Sequence, residues 1–150
     1  MLNNKETKLA TYWSTRFTKI CLGMSYNSKT GWAIIEISSS SLFDLISSSV
    51  YTSTALPVSK WKDLIDGETS LQTKCRIQGI NVARGDTGAR IGIIATKKCN
   101  NNGDYNSRLG FGTKGTSCGQ DGTNTCGNDA RCNAKPRDLS KKTFGYILVK

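Results

Sequence analysis

The sequence predicts an α+β domain, and three observations carry that expectation: alternating apolar segments near both ends, two short helical periodicities between them, and a long polar stretch towards the C-terminus. Residues 17–24, Phe-Thr-Lys-Ile-Cys-Leu-Gly-Met, alternate as a strand does. Tyr26-Asn27-Ser28-Lys29 follow with turn chemistry, and Gly31 to Ile37, Gly-Trp-Ala-Ile-Ile-Glu-Ile, read as a second strand, so a hairpin is expected. The serine run Ser38 to Ser41 can cap a helix over 42–47, where Leu42, Phe43, Leu45 and Ile46 fall on helical spacing. A second helix is expected over 60–66, with Ser59 as its cap and Gly67 supplying the left-handed residue at its end. Trp61, Leu64 and Ile65 share one face of it, which reads as core, while Asp63 and Asp66 read as its solvent side. Residues 80–82 and 89–95 look like strands, and Phe144 to Val149, apolar almost throughout, reads as a central one.

The 28 residues from Cys99 to Cys126 break this pattern. Glycine, asparagine, aspartate, serine and threonine dominate them, so neither helix nor strand is expected there. Long loops in compact domains usually carry function, and the terminal cysteines argue for order. At 150 residues the chain has the length of one domain.

Lys and Arg number 21 against 11 acidic residues, a net charge of +10 that favours polyanionic partners. The basic residues are scattered, so no nucleic-acid arm is expected. No apolar run reaches the roughly 20 residues a membrane-spanning helix needs. Six cysteines, at 21, 75, 99, 118, 126 and 132, suit a secreted disulfide framework better than zinc, because the chain has no histidine and no Cys-x-x-Cys. Met1 is followed by polar residues rather than a leader's apolar core, so either a leader and a first segment lie upstream or the chain is cytosolic and its cysteines are free. With no histidine, no Ser-His-Asp or Cys-His arrangement can be built, and neither a Gly-x-Ser-x-Gly elbow nor a phosphate loop occurs. The expectation is a non-enzymatic protein.

Several segments carry a resemblance to a known family. They are Glu6 to Met24, Trp61 to Ile65, Ser70 to Gln72, Arg90 to Ala95, Cys99-Asn100, Ser107 to Gly112, Asn124 to Asn128 and Gly145 to Val149. Together they resemble the fibrinogen-like domain of cnidarian secreted proteins, including coral skeletal organic matrix proteins, and more distantly the intelectins, which are calcium-dependent lectins. The family's earlier Gly-Gly-Trp-Thr-Leu strand has no counterpart, so the resemblance implies a single, N-terminally truncated domain over 1–150 that is secreted and extracellular. It also implies a pairing of Cys99 with Cys126, Cys21 with Cys75, and Cys118 with Cys132. Closing the loop of about 27 residues from 99 to 126 would stabilise by roughly 3.5 kcal/mol on the chain-entropy account.

The same resemblance implies calcium, with Asn100, Asn102 and Asn128 at ligand positions. From the residues alone, Asn100, Asn102 and Asp104 present oxygens at alternate positions, as calcium loops do, but the EF-hand glycine and glutamate are missing. Turn chemistry is the competing and plainer account of these residues. Around them Arg108, Lys114 and Arg131 could meet sulfate or carboxylate groups, and Tyr105 could lie against a sugar face. The expected function is therefore recognition of glycans or acidic matrix polymers through the 99–138 loop region. The alternative is a structural component of an extracellular or skeletal matrix without a discrete pocket.

Overall fold

The computed structural model describes residues 7–97, 99, 105–115, 125–130 and 139–150. A one-turn helix, α1 (Thr11–Ser14), leads into β1 (Phe17–Tyr26), which pairs antiparallel with β2 (Lys29–Ser39) through the expected hairpin. Its two-residue turn, Asn27-Ser28, has φ of 48° and 62°. Positive φ at both central residues matches the right-handed twist of the flanking strands. Helix α2 (Leu42–Ser47) falls where the sequence places it, and the Ser41 hydroxyl accepts a 3.0 Å bond from the Asp44 amide as its N-cap. After the short β3 (Thr52–Ser53), α3 (Val58–Asp63) starts earlier than expected because Pro57, with its preset φ, stands at the N-cap in place of Ser59. Gly67 closes the following turn at φ +78°, its amide donating to the Lys62 carbonyl at 3.0 Å. Trp61, Leu64 and Ile65 are fully buried, and the Trp61 indole N–H donates to Gln78 Oε1, fastening α3 to the next strand.

That strand, β4 (Lys74–Arg84), opens a run of antiparallel pairings through β5 (Thr87–Thr96), β6 (Ser107–Phe111), β7 (Cys126–Ala130) and β8 (Lys141–Lys142). With β3 on the far edge they form a six-stranded sheet in the order β3-β4-β5-β6-β7-β8. The last strand, β9 (Phe144–Val149), returns to the first hairpin and completes a three-stranded sheet in the order β2-β1-β9. One hydrophobic core lies between the sheets. Ile20, Leu22 and Met24 of β1 and Ala33 and Ile35 of β2 meet Ile91, Ile93 and Ala95 of β5 and Leu109 and Phe111 of β6. Gly145 faces inward, where any Cβ would come 2.9 Å from the Phe111 ring, so its bareness sets how closely β9 approaches the larger sheet.

Four expectations are corrected. The α+β class gives way to a β-rich fold: strands make up 52% of the described residues and helices 13%, and no helix exceeds six residues. The stretch from Cys99 to Cys126 does contain a strand, β6, and runs into another, β7, because buried polar partners take the place of an apolar pattern there. Strand β9 is an edge strand of its sheet, with β1 in the middle. The disulfide joins Cys75 to Cys99, whose Cα atoms are 5.3 Å apart, replacing both the Cys99–Cys126 and the Cys21–Cys75 pairings. Lys74 lies opposite Thr96 at the end of the β4–β5 ladder, and Cys99, three residues beyond that end, meets Cys75 at the ladder's irregular start. Cys21 and Cys126 are free thiols; Cys118 and Cys132 lie outside the described residues.

Candidate functional site

Of the expected glycan-contacting residues, Arg108 is the clearest correction. It is 0% exposed on β6 and donates a 2.8 Å hydrogen bond to Asp129 Oδ2 on β7, directly opposite in the ladder. Burial pushes the guanidinium pKa down, while the charges of Asp129 and Asp86 oppose that shift. A buried, paired arginine holds β6 to β7 and presents nothing to a solvent-borne ligand. Asn128 is likewise fully buried: its Oδ1 accepts from the Ser70 amide, and its Nδ2 donates to Ser70 Oγ and to the Leu139 carbonyl. Its carboxamide ties three segments together. Tyr105 is half-buried, its carbonyl taken by the Thr87 hydroxyl. Lys114 is exposed, and its backbone bridges to Gly88. Asn100, Asn102, Asp104 and Arg131 lie outside the described residues. Among the described residues no group of three or more His, Cys, Asp or Glu side chains is placed to hold a metal. Asp66 pairs with Lys29 at 2.9 Å and Asp63 with Lys60 at 3.6 Å, so each carboxylate has a lysine beside it.

The surface that stands out lies elsewhere, on the outer face of the three-stranded sheet. Alternation along each strand puts Ile20, Leu22 and Met24 into the core and turns Cys21, Gly23 and Ser25 outward. The register then sets three rows across β2, β1 and β9: Ile34–Cys21–Leu148, Trp32–Gly23–Tyr146 and Thr30–Ser25–Phe144. Trp32, Ile34 and Leu148 are 47%, 57% and 53% exposed. The middle row is built around a glycine. The Trp32 ring lies over Gly23, where a Cβ would stand 2.7 Å from its Cε3 and 2.8 Å from its Cη2. With no side chain between them, Trp32 and Tyr146 approach to 5.8 Å between centroids with planes 30° apart, and Phe144 meets Tyr146 edge-on at 5.0 Å.

Both ends of this face are polar. Lys19 and Glu36 form a 2.9 Å ion pair beyond the Ile34 row, and the Ser25 and Thr30 hydroxyls hydrogen-bond at 3.1 Å at the hairpin end. Residues Trp32 and Tyr146 escaped the sequence-based selection, although a signal was present. Segments 31–37 and 144–149 are apolar on both faces, a pattern shared by a strand covered on both sides and by one that exposes an apolar face. No family model matches this chain, and neither does any curated protein or solved structure.

Proposed function

We propose that this chain is a non-enzymatic extracellular recognition domain for glycans, and that the outer face of the β2-β1-β9 sheet, rather than the 99–138 region, is its contact surface. The carrying observation is the exposed Trp32 ring laid over Gly23 and its meeting with the half-buried Tyr146. The largest contiguous apolar patch on a soluble protein is often functional. Aromatic faces carry a negative quadrupole, which suits the weakly positive C–H groups on the face of a pyranose ring. Tyr and Trp also keep a polar edge for sugar hydroxyls. The Cys75–Cys99 disulfide supports an oxidising compartment.

The net charge of +10 favours a second reading, adsorption to acidic matrix polymers without a discrete pocket. Salt distinguishes the two, since exposed charges are screened within about 8 Å at physiological ionic strength while aromatic contact is not. A glycan array read with calcium and with chelator tests the proposal. The expected result is saccharide-specific signal of equal strength in both conditions; no signal in either overturns it.

A further inference from the structure

We infer that the ligand of the sheet face is a neutral polysaccharide of equatorially substituted pyranoses, lying across the strands from β2 over β1 to β9. This rests on the glycan-binding reading above and narrows it. The chain as a whole is strongly basic, yet the three rows from Thr30 to Ile34, Cys21 to Ser25 and Phe144 to Leu148 hold nine outward positions and no charged residue. Outside these nine positions at the Ile34 end, Lys19 is paired with Glu36, and the exposed Lys150 stands beside Lys19 in the ladder. A sulfate or carboxylate set down here would lose water without gaining a charged partner, and that costs binding. A sugar whose hydroxyls are equatorial keeps its polar groups at its edge and presents flat C–H faces, so the uncharged aromatic surface suits it.

The geometry orders the ligand as well. Trp32 and Tyr146 follow one another across the sheet, their centroids separated by 5.8 Å. That spacing is comparable to the length of one pyranose residue, so successive sugars of a chain crossing the strands meet successive rings. The Ser25 and Thr30 hydroxyls flank one side of that track and can exchange hydrogen bonds with ring hydroxyls. A second protein copy fits the surface less well. Three strands about 4.8 Å apart and six residues at about 3.3 Å each make a face of about 280 Å². A stable protein interface takes about 800 Å² from each partner.

The test is co-sedimentation of the full chain with insoluble cellulose and chitin, beside retention on heparin, at low and at high salt. Oligomeric state in solution is followed in parallel by light scattering. The inference predicts binding to cellulose or chitin that survives high salt and falls at least about tenfold in Trp32→Ala and in Tyr146→Ala, as truncation of a stacking aromatic does. Trp13→Ala, an exposed tryptophan away from the sheet face, is expected to bind as the wild type does. Urea unfolding of each variant confirms that it is folded, and Gly23→Ala, which lifts the ring without removing it, repeats the test should either truncation unfold. Binding to heparin alone that falls in Trp32→Ala overturns the neutral ligand while leaving glycan recognition by the sheet face standing; salt-sensitive heparin binding unchanged in Trp32→Ala overturns both in favour of adsorption to acidic polymers. Binding to none of the three polymers overturns both. A dimer lost in Trp32→Ala also overturns both, because the face would then be covered by a second copy.

Discussion

Replacing Asp129 by alanine isolates the claim that Arg108 belongs to the fold. The two side chains are 0% and 2% exposed and share a 2.8 Å charge-assisted bond. Removing one partner of a buried pair leaves the other charge desolvated and uncompensated, which costs about 3–5 kcal/mol. Asp86 also acts electrostatically on Arg108 and softens the loss, so the lower end, about 3 kcal/mol, is the expectation. For a chain of this length that corresponds to a fall of roughly 6–12 °C in Tm. Urea unfolding followed by far-UV circular dichroism measures it. The double variant Arg108→Met, Asp129→Leu should recover most of the loss, since an apolar pair of similar volume is often tolerated where a broken ion pair is not. A loss in Asp129→Ala of no more than about 1 kcal/mol, the value of a surface ion pair, would refute the reasoning and return Arg108 to the solvent.

Other expectations concern single elements. Ser41→Ala removes the α2 cap and should lower stability by about 1 kcal/mol in the same denaturation assay. Reducing Cys75–Cys99, which spans a sequence separation of 24, should cost about 3.5 kcal/mol in unfolding experiments with and without dithiothreitol. Burial raises the Cys126 thiol to about 11 against the Thr143 hydroxyl, which acts in the other direction. A raised folded pKa means that its contribution is complete below pH 9 and is lost as pH climbs through about 11. Over that window roughly 3 kcal/mol should disappear from the stability curve and be absent from the curve of Cys126→Ala.

The hairpin, α2 and the burial of Trp61 were legible because each rests on local chemistry. Alternation ran into a two-residue turn, serine stood before an apolar helical face, and an aromatic shared that spacing with Leu64 and Ile65. Strands β6 and β7 were not legible, for a definite reason. Arg108, Asn128 and Asp129 are buried polar residues whose partners are far away in sequence: Asn128 bonds Ser70 across 58 residues, and Arg108 bonds Asp129 across 21. A periodicity built on apolar residues reads such a strand as loop. The disulfide was missed for a related reason, since Cys75 and Cys99 are 24 residues apart in sequence and meet only at the end of the β4–β5 ladder. The aromatic face was half legible. Trp32 and Tyr146 sit in recognisable strands, but the meeting of the two over Gly23 depends on β9 pairing with β1 across more than a hundred residues.

The outer face of the three-stranded sheet as the recognition surface is the central claim, and chemical-shift mapping tests it most directly. Amide and indole signals of the full chain are followed during titration with cellohexaose, a soluble neutral β-linked oligosaccharide. The account predicts saturable shifts confined to residues 21–25, 30–34 and 144–148, with the Trp32 indole N–H among the largest. Shifts gathered instead on residues 105–115 and 125–130, or no shifts at all, would contradict it.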